Sequence, residues 1–513
     1  VYLLRFCFFL IYDKMVLSAH NEALMATLPG PKAIWEWFLR LTEVPRGSFN
    51  TKQIIPALKA WGEELGFETY VDAAENVLYR VPASPGCEGA PTVALQAHMD
   101  MVCQADAEID IDFDKDPILA RLQEIGGKTW MTATGTSLGA DNGIGIAGAL
   151  AAAADPDCKH GPLEILVTRD EEVGLLGAAD MEEGMLKAKY LINCDSEDEY
   201  AICVGCAGGY IVNMELPYKR EAAPGHVFRT IKLTGMKGGH TGVDIHEGRL
   251  NALKVAARVL KATEEFDVRV CSFNGGSAHN AIPRSCDLCL SVPEEKVALW
   301  EAAVKAVLDG ITAEHKVIEP EFAAVFGEGC LCEETMEPFD LASSKHVVNF
   351  LNAVHYGVVR MSPDVDGLVE TSFALTVCEM KEDKMCFLAA ARSSSATQLD
   401  MVYEWLHSLC ALSDVKLGPR ENGYPGWMPN LSSPITQTLC QVHKDVMGKE
   451  ARVYAIHAGL ECGLIMDKCP GIDSVSIGPQ IENPHSPSEQ MLVESVPRFY
   501  KLLAKSLEKM GTL

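Results

Sequence analysis

A chain of 513 residues is too long for a single core, so two or three domains are expected. Its 44 basic and 71 acidic residues give a formal charge of −27 and a pI near 4.9, a balance that repels phosphate backbones and argues against nucleic acid as a partner. The 48% hydrophobic and 22% charged content is that of an ordinary globular protein.

The chain opens with Tyr2 to Tyr12, apolar apart from Arg5 and shorter than the ~20 residues a bilayer span needs. No small-x-small cleavage site follows, and methionines stand at Met15 and Met25, so residues 1–30 read as an extension from a mis-assigned upstream start. Helical spacing covers 31–44, and Thr51 can cap a second helix to about Leu65. Strand-like runs follow at 68–71, 76–82 and 92–97, then a small-residue helix beginning near Asp141. Leu163–Thr168 and Tyr190–Asn193 read as buried strands, each followed by acid. Strands alternating with helices predict an α/β sheet whose ligand sites gather at strand ends.

After C-A-G-G-Y (206–210) the style changes to strand–helix–strand-like units, including 228–236, 247–263, 267–273, 285–292 and 397–411. Region 313–340 reads as an irregular acidic loop, and a turn at Gly423–Trp427 precedes signals that resume the first style. The simplest partition is a catalytic α/β domain of 31–210 and 412–513, interrupted by a domain at 211–411. The eighteen cysteines are scattered through apolar runs and read as reduced thiols of a cytoplasmic protein. The pairs Cys203/Cys206 and Cys286/Cys289 stand much further apart than the ~15–20 residues of a zinc ribbon.

Chemistry concentrates at the ends of apolar runs. In V-A-L-Q-A-H-M-D (93–100), period-two alternation points His98 and Asp100 the same way, a metal ligand with a carboxylate to orient its imidazole. Asp141, Glu171, Glu172, Asp195 and His485 also follow apolar or turn-rich stretches. Carboxylates with imidazoles suit zinc, with manganese or cobalt as substitutes. If these side chains converge, two metals ~3.5–4 Å apart can share one carboxylate and activate a water. Neighbours on an extended chain face opposite sides, so one of Glu171 and Glu172 can bind metal while the other acts as base.

The segments H-M-D (98–100), G-A-D-N-G-I-G (139–145), E-E-V-G-L-L-G-A (171–178), N-C-D-S-E (193–197), K-G-G-H-T-G (237–242), N-A-I-P-R (280–284), I-H-A-G-L-E-C-G (456–463) and S-I-G-P…P-H-S-P-S-E (476–489) resemble the aminoacyl-histidine dipeptidases. These form a branch of the superfamily of dizinc aminoacylases, carboxypeptidases and dipeptidases. The resemblance runs from about residue 30 to the C-terminus. It implies a zinc-peptidase-like α/β domain with a central mixed sheet flanked by helices, plus an inserted α+β lid. It further implies two zinc ions bridged by Asp141, one completed by His98 and Asp195, the other by Glu172 and His485. Glu171 would be the general base, Asp100 would orient His98, and the Asp141–Asn142 peptide would be cis. His240, Asn280 and Arg392 of the lid would hold the substrate carboxylate and the oxyanion, with His457, Gly459 and Glu461 lining the pocket.

The implied reaction is metal-dependent hydrolysis of unblocked dipeptides, Xaa-His among them, by a homodimer joined through the lid. In such a dimer His240 acts in cis or in trans. The alternative is an N-acyl amino acid amidohydrolase or carboxypeptidase on the same scaffold. A non-catalytic binding protein is disfavoured because every implied ligand and the base are present. Local departures from the family pattern are Thr241 in place of serine, S-A-H-N before Ala281, and the polar pair Arg169-Asp170 before the glutamates.

Overall fold

The structure is a computed structural model that describes residues 17–329 and 337–512. The apolar stretch Tyr2–Tyr12 and Met15 lie outside those residues, as does part of the expected acidic loop. The chain divides into two compact units, one of residues 17–205, 429–455 and 460–512, the other of 206–428 and 456–459.

The first unit is built on an eight-stranded mixed sheet. At its centre Leu163–Thr168, Val93–His98, Tyr190–Asn193 and Asp473–Ser476 run parallel in that order. The first three are buried at every position, which is why they read as continuous rather than alternating apolar runs. Val77–Val81 and Glu68–Val71 extend the sheet antiparallel. The small-residue helix Ala140–Ala154 packs against the sheet and against the helices Lys32–Thr42 and Ser495–Met510. A Cβ on Gly148 would fall 2.8 Å from the Phe499 ring, so the close approach of those helices requires glycine there. A separate four-stranded sheet, Ile481–Glu482, Gln490–Leu492, Lys128–Ala133 and Ala120–Ile125, carries the His485 loop.

Residues 17–30, expected as part of an extension, are integral to this unit. Ser18 caps the helix Ala19–Thr27, and buried Asn21 donates to the Leu39 carbonyl and the Glu43 carboxylate.

The second unit is a nine-stranded sheet with every pairing antiparallel. Its helices are Ala252–Ala262, Val297–His315, Leu341–Ala353 and Ala396–Leu412, and Phe273, Trp300, Phe350, Phe373 and Phe387 fill its core. Its limits differ from the expected 211–411. Gly208–Pro217 pairs with Lys384–Ser393 on one side and Lys416–Tyr424 on the other, so backbone hydrogen bonding draws 412–428 into this unit. Lys416–Tyr424 (K-L-G-P-R-E-N-G-Y) is an exposed strand with no apolar alternation to announce it. The expected loop 313–340 contains the strand Ala323–Glu328.

Candidate metal centre

Strand alternation sends Leu95 and Ala97 into the core of the first unit and turns Gln96 and His98 to the other face. His98 Nε2 lies 2.9 Å from Asp141 Oδ1 and 3.3 Å from Asp195 Oδ1. The other oxygen of Asp141 lies 3.0 Å from His485 Nε2, which is 2.9 Å from Glu172 Oε2. Asp141 therefore offers one oxygen to each histidine. Three donor groups, His98/Asp141/Asp195, Asp141/Glu172/His485 and His98/Glu171/Glu172, each have ligand atoms within 4.8 Å of one another. The Asp141–Asn142 peptide is cis, as the resemblance implies.

The electrostatics are those of a pocket that wants a cation. Burial raises the Glu171 carboxyl well above its usual range, and raises Asp195 to about 6 against the pull of His98. Hydrogen bonds to Asp141 and Glu172 raise His485 to about 11. Burial works against a charged His98, but Asp195, Asp100 and Asp141 outweigh it and raise its pKa. Among the described residues Glu172 Oε1 and Asp195 Oδ1, both buried, have no well-formed hydrogen bond, although His98 Nε2 is 3.3 Å from the latter. An oxygen-rich set with two imidazoles and orphaned carboxylate oxygens fits divalent metal.

Supporting groups fix these donors. Asp100 faces His98 Nδ1 at 3.4 Å and accepts from the amides of Glu171 (3.0 Å) and Glu172 (3.3 Å) and the Ser48 hydroxyl (2.8 Å). The polar Arg169-Asp170 pair has a structural reason: Asp170 accepts from Arg169 and from the Phe49 amide. Arg46, also buried, donates to the carbonyls of Met99, Asp100 and Gly139. Gly139 has φ 69°, and a Cβ there would collide with the Arg46 guanidinium. Glu489, 2% exposed, accepts from the amides of Leu138, Gly139, Ala140 and Asp141. Glu197 is pushed up to about 8 by burial and by the charges of Asp141 and Asp195. Sequence reasoning missed Ser48, Arg46, Glu489 and Glu197, and only the last two lie in quoted motifs.

Glu461, expected to line a pocket, is buried and accepts from Gln96 Nε2 (2.6 Å) and Thr168 Oγ1 (2.8 Å). Gln96 Oε1 in turn accepts from Asn193 Nδ2, and Asn193 Oδ1 accepts from the Asp195 amide at 3.2 Å. Burial raises Glu461 to about 7, partly offset by His98.

In the second unit Arg392, 8% exposed, donates to the Tyr424 hydroxyl at 2.8 Å and lies 3.4 Å from both Thr241 Oγ1 and His240 Nε2. Thr241 thus keeps the hydroxyl that serine would supply. His457 Nε2 is 2.7 Å from Ser372 Oγ. Asn280 joins this group through its carbonyl, which accepts from the Thr241 amide, while its side chain is exposed, and Gly459 is half-buried. Burial and the Arg392 charge depress His240 to about 4 and His457 to about 3. Both are thus neutral from pH 8 to 5. Their unfolded values lie near 6.5, so stability should be flat above that and fall as pH drops from 6.5 towards 4. Imidazole NMR across pH 8 to 5 should show no protonation of either ring.

Carboxylates and imidazoles gathered at strand ends around one shared aspartate define a metallohydrolase. The chain belongs to peptidase family M20/M25/M40, whose profile matches residues 94–509. It is 38% identical over 483 residues to the cytosol non-specific dipeptidase of Escherichia coli K12, covering 93% of this chain and 98% of that protein. The crystal structure of aminoacylhistidine dipeptidase from Vibrio alginolyticus superimposes with a TM-score of 0.87 at 37% identity, covering 94% of this chain and 98% of that one. A tripeptidase from Staphylococcus aureus shares the fold at 16% identity and a TM-score of 0.52. The expected fold class and the expectation of a peptide hydrolase therefore stand. Among the described residues no helix is long and apolar enough to cross a membrane.

Proposed function

We propose that this chain hydrolyses unblocked dipeptides, Xaa-His among them, with two zinc ions as cofactor and manganese or cobalt as substitutes. The observation that carries the reading is the convergence of His98, Asp141, Glu172, Asp195 and His485 on one pocket. His98 and Asp195 would hold one ion, Glu172 and His485 the other, and Asp141 both. When bound, such a pair supplies charge that polarises a carbonyl and brings the pKa of water towards ~7. Glu171 takes the proton of the attacking water as the C–O bond forms and delivers it to the amine nitrogen as the C–N bond breaks. Asp100 keeps the His98 ring aimed, and its hold on the Glu171 amide fixes the base.

The second unit supports a reader of the substrate carboxylate. His240 Nδ1 accepts from the amides of Gly242 and Val243, which assigns its ring proton to Nε2. That N–H and the Arg392 guanidinium then converge as donors, and no carboxylate pairs with Arg392 among the described residues. A substrate carboxylate or oxyanion is the acceptor they suit, with Asn280, His457 and Gly459 beside them. The names of the near relatives support dipeptides as substrates, a cytoplasmic location and small-molecule partners. Assembly as a homodimer through the second unit is part of the proposal, with His240 serving its own subunit or its partner.

Free dipeptides assayed beside N-acyl amino acids, with zinc, manganese or cobalt added, test the reading. Preference for the acyl substrates would favour the related amidohydrolase. Arg392→Ala should lower kcat/KM for a dipeptide roughly 10- to 150-fold, the worth of a charged hydrogen bond, and barely change hydrolysis of the dipeptide amide.

A further inference from the structure

We propose that Glu489 is a positioning residue that ties the His485 loop to the Asp141 turn and so sets the spacing of the Asp141/Glu172/His485 metal position. The inference rests on the two-metal reading above. Between the short strands Ile481–Glu482 and Gln490–Leu492, Glu489 is the one buried residue. The rest of that loop is half-buried or exposed, and it holds Asn483 at φ 53° and His485 at φ 60°. Left-handed backbone at non-glycine residues persists where surrounding contacts impose it. His485 is itself exposed and touches Asp141 and Glu172 through its ring, so the buried Glu489 is the loop's anchor in the fold.

The other partner is equally in need of an anchor. The turn 138–141 leads into the helix Ala140–Ala154, whose backbone is still non-helical at Asp141 and Asn142, and Gly139 offers that turn no side chain. The amides of that turn, outside any regular helical hydrogen bonding, are met by a carboxylate from far along the chain. Glu489 Oε2 takes Leu138 N (2.7 Å) and Gly139 N (2.9 Å), and Oε1 takes Ala140 N (2.7 Å) and Asp141 N (3.3 Å). One side chain therefore satisfies the turn that presents Asp141 and immobilises the loop that presents His485, four residues before it.

Glu489→Gln keeps the shape but turns an NH2 group towards two of the four amides. In the metal-free full chain, hydrogen exchange should quicken by at least about tenfold at both 138–141 and 483–488, the effect of losing a charged hydrogen bond on local opening, with the central strands unchanged. In zinc titrations the wild type should take two equivalents. The variant should hold one as before and bind the second about 10- to 100-fold more weakly. Unchanged exchange, two wild-type-like sites, equal weakening of both sites, or a variant that does not fold would each overturn the role of Glu489. A wild type that takes no zinc would instead sink the two-metal reading itself.

Discussion

Glu171→Gln should lower kcat by roughly 10²- to 10⁴-fold while leaving metal content and KM close to wild type. The expectation follows from how the Glu171-Glu172 pair is held. Both main-chain amides donate to the Asp100 carboxylate, which fixes the turn that carries the two side chains. Glu172 contacts His485 at 2.9 Å and belongs to the donor group with Asp141. Burial pushes the Glu171 carboxyl well above its usual range. Removing that carboxylate takes away the proton carrier and leaves the five donors untouched. Metal analysis beside steady-state kinetics checks it, and wild-type turnover in the variant would remove Glu171 from the role of base.

The second large effect should come from Asp141→Ala. Each Asp141 oxygen faces a different histidine, 2.9 Å from His98 and 3.0 Å from His485, so this one change opens both proposed metal positions. Supporting residues cost ~10–100-fold in metal affinity when altered. Loss of a shared ligand should exceed that at both positions, and activity should fall to background. His485→Ala, by contrast, should spare the His98/Asp195 position. Metal stoichiometry distinguishes the two variants: near zero for the first and near one for the second. Two metals bound by Asp141→Ala would show that the aspartate is not shared.

Several of the donors were legible because each follows an unmistakable apolar run. His98 closes a buried strand, Asp195 follows Tyr190–Asn193, and the glutamate pair follows Leu163–Thr168. Period-two alternation was enough to put His98 and Asp100 together. Long-range placement was not legible. Glu489 and Asp141 stand 348 positions apart in the sequence, and no local pattern encodes that pairing. Arg46 lies outside every quoted motif, yet its guanidinium braces both Asp100 and Gly139. The domain limits failed for a similar reason. Lys416–Tyr424 owes its place to pairing with Gly208–Pro217 rather than to hydrophobic periodicity. Asn21 was missed because a single buried amide leaves no periodic trace, although it binds the first helix to the second.

Among the described residues the buried Arg392 guanidinium has a phenol, a threonine hydroxyl and neutral imidazoles beside it and no paired carboxylate, so its positive charge is unbalanced. Under the proposed reaction, the C-terminal amino acid set free by cleavage still bears the group that this charge attracts. Turnover should therefore slow as that amino acid accumulates, and its methyl ester, lacking the negative charge, should compete far less well for the enzyme.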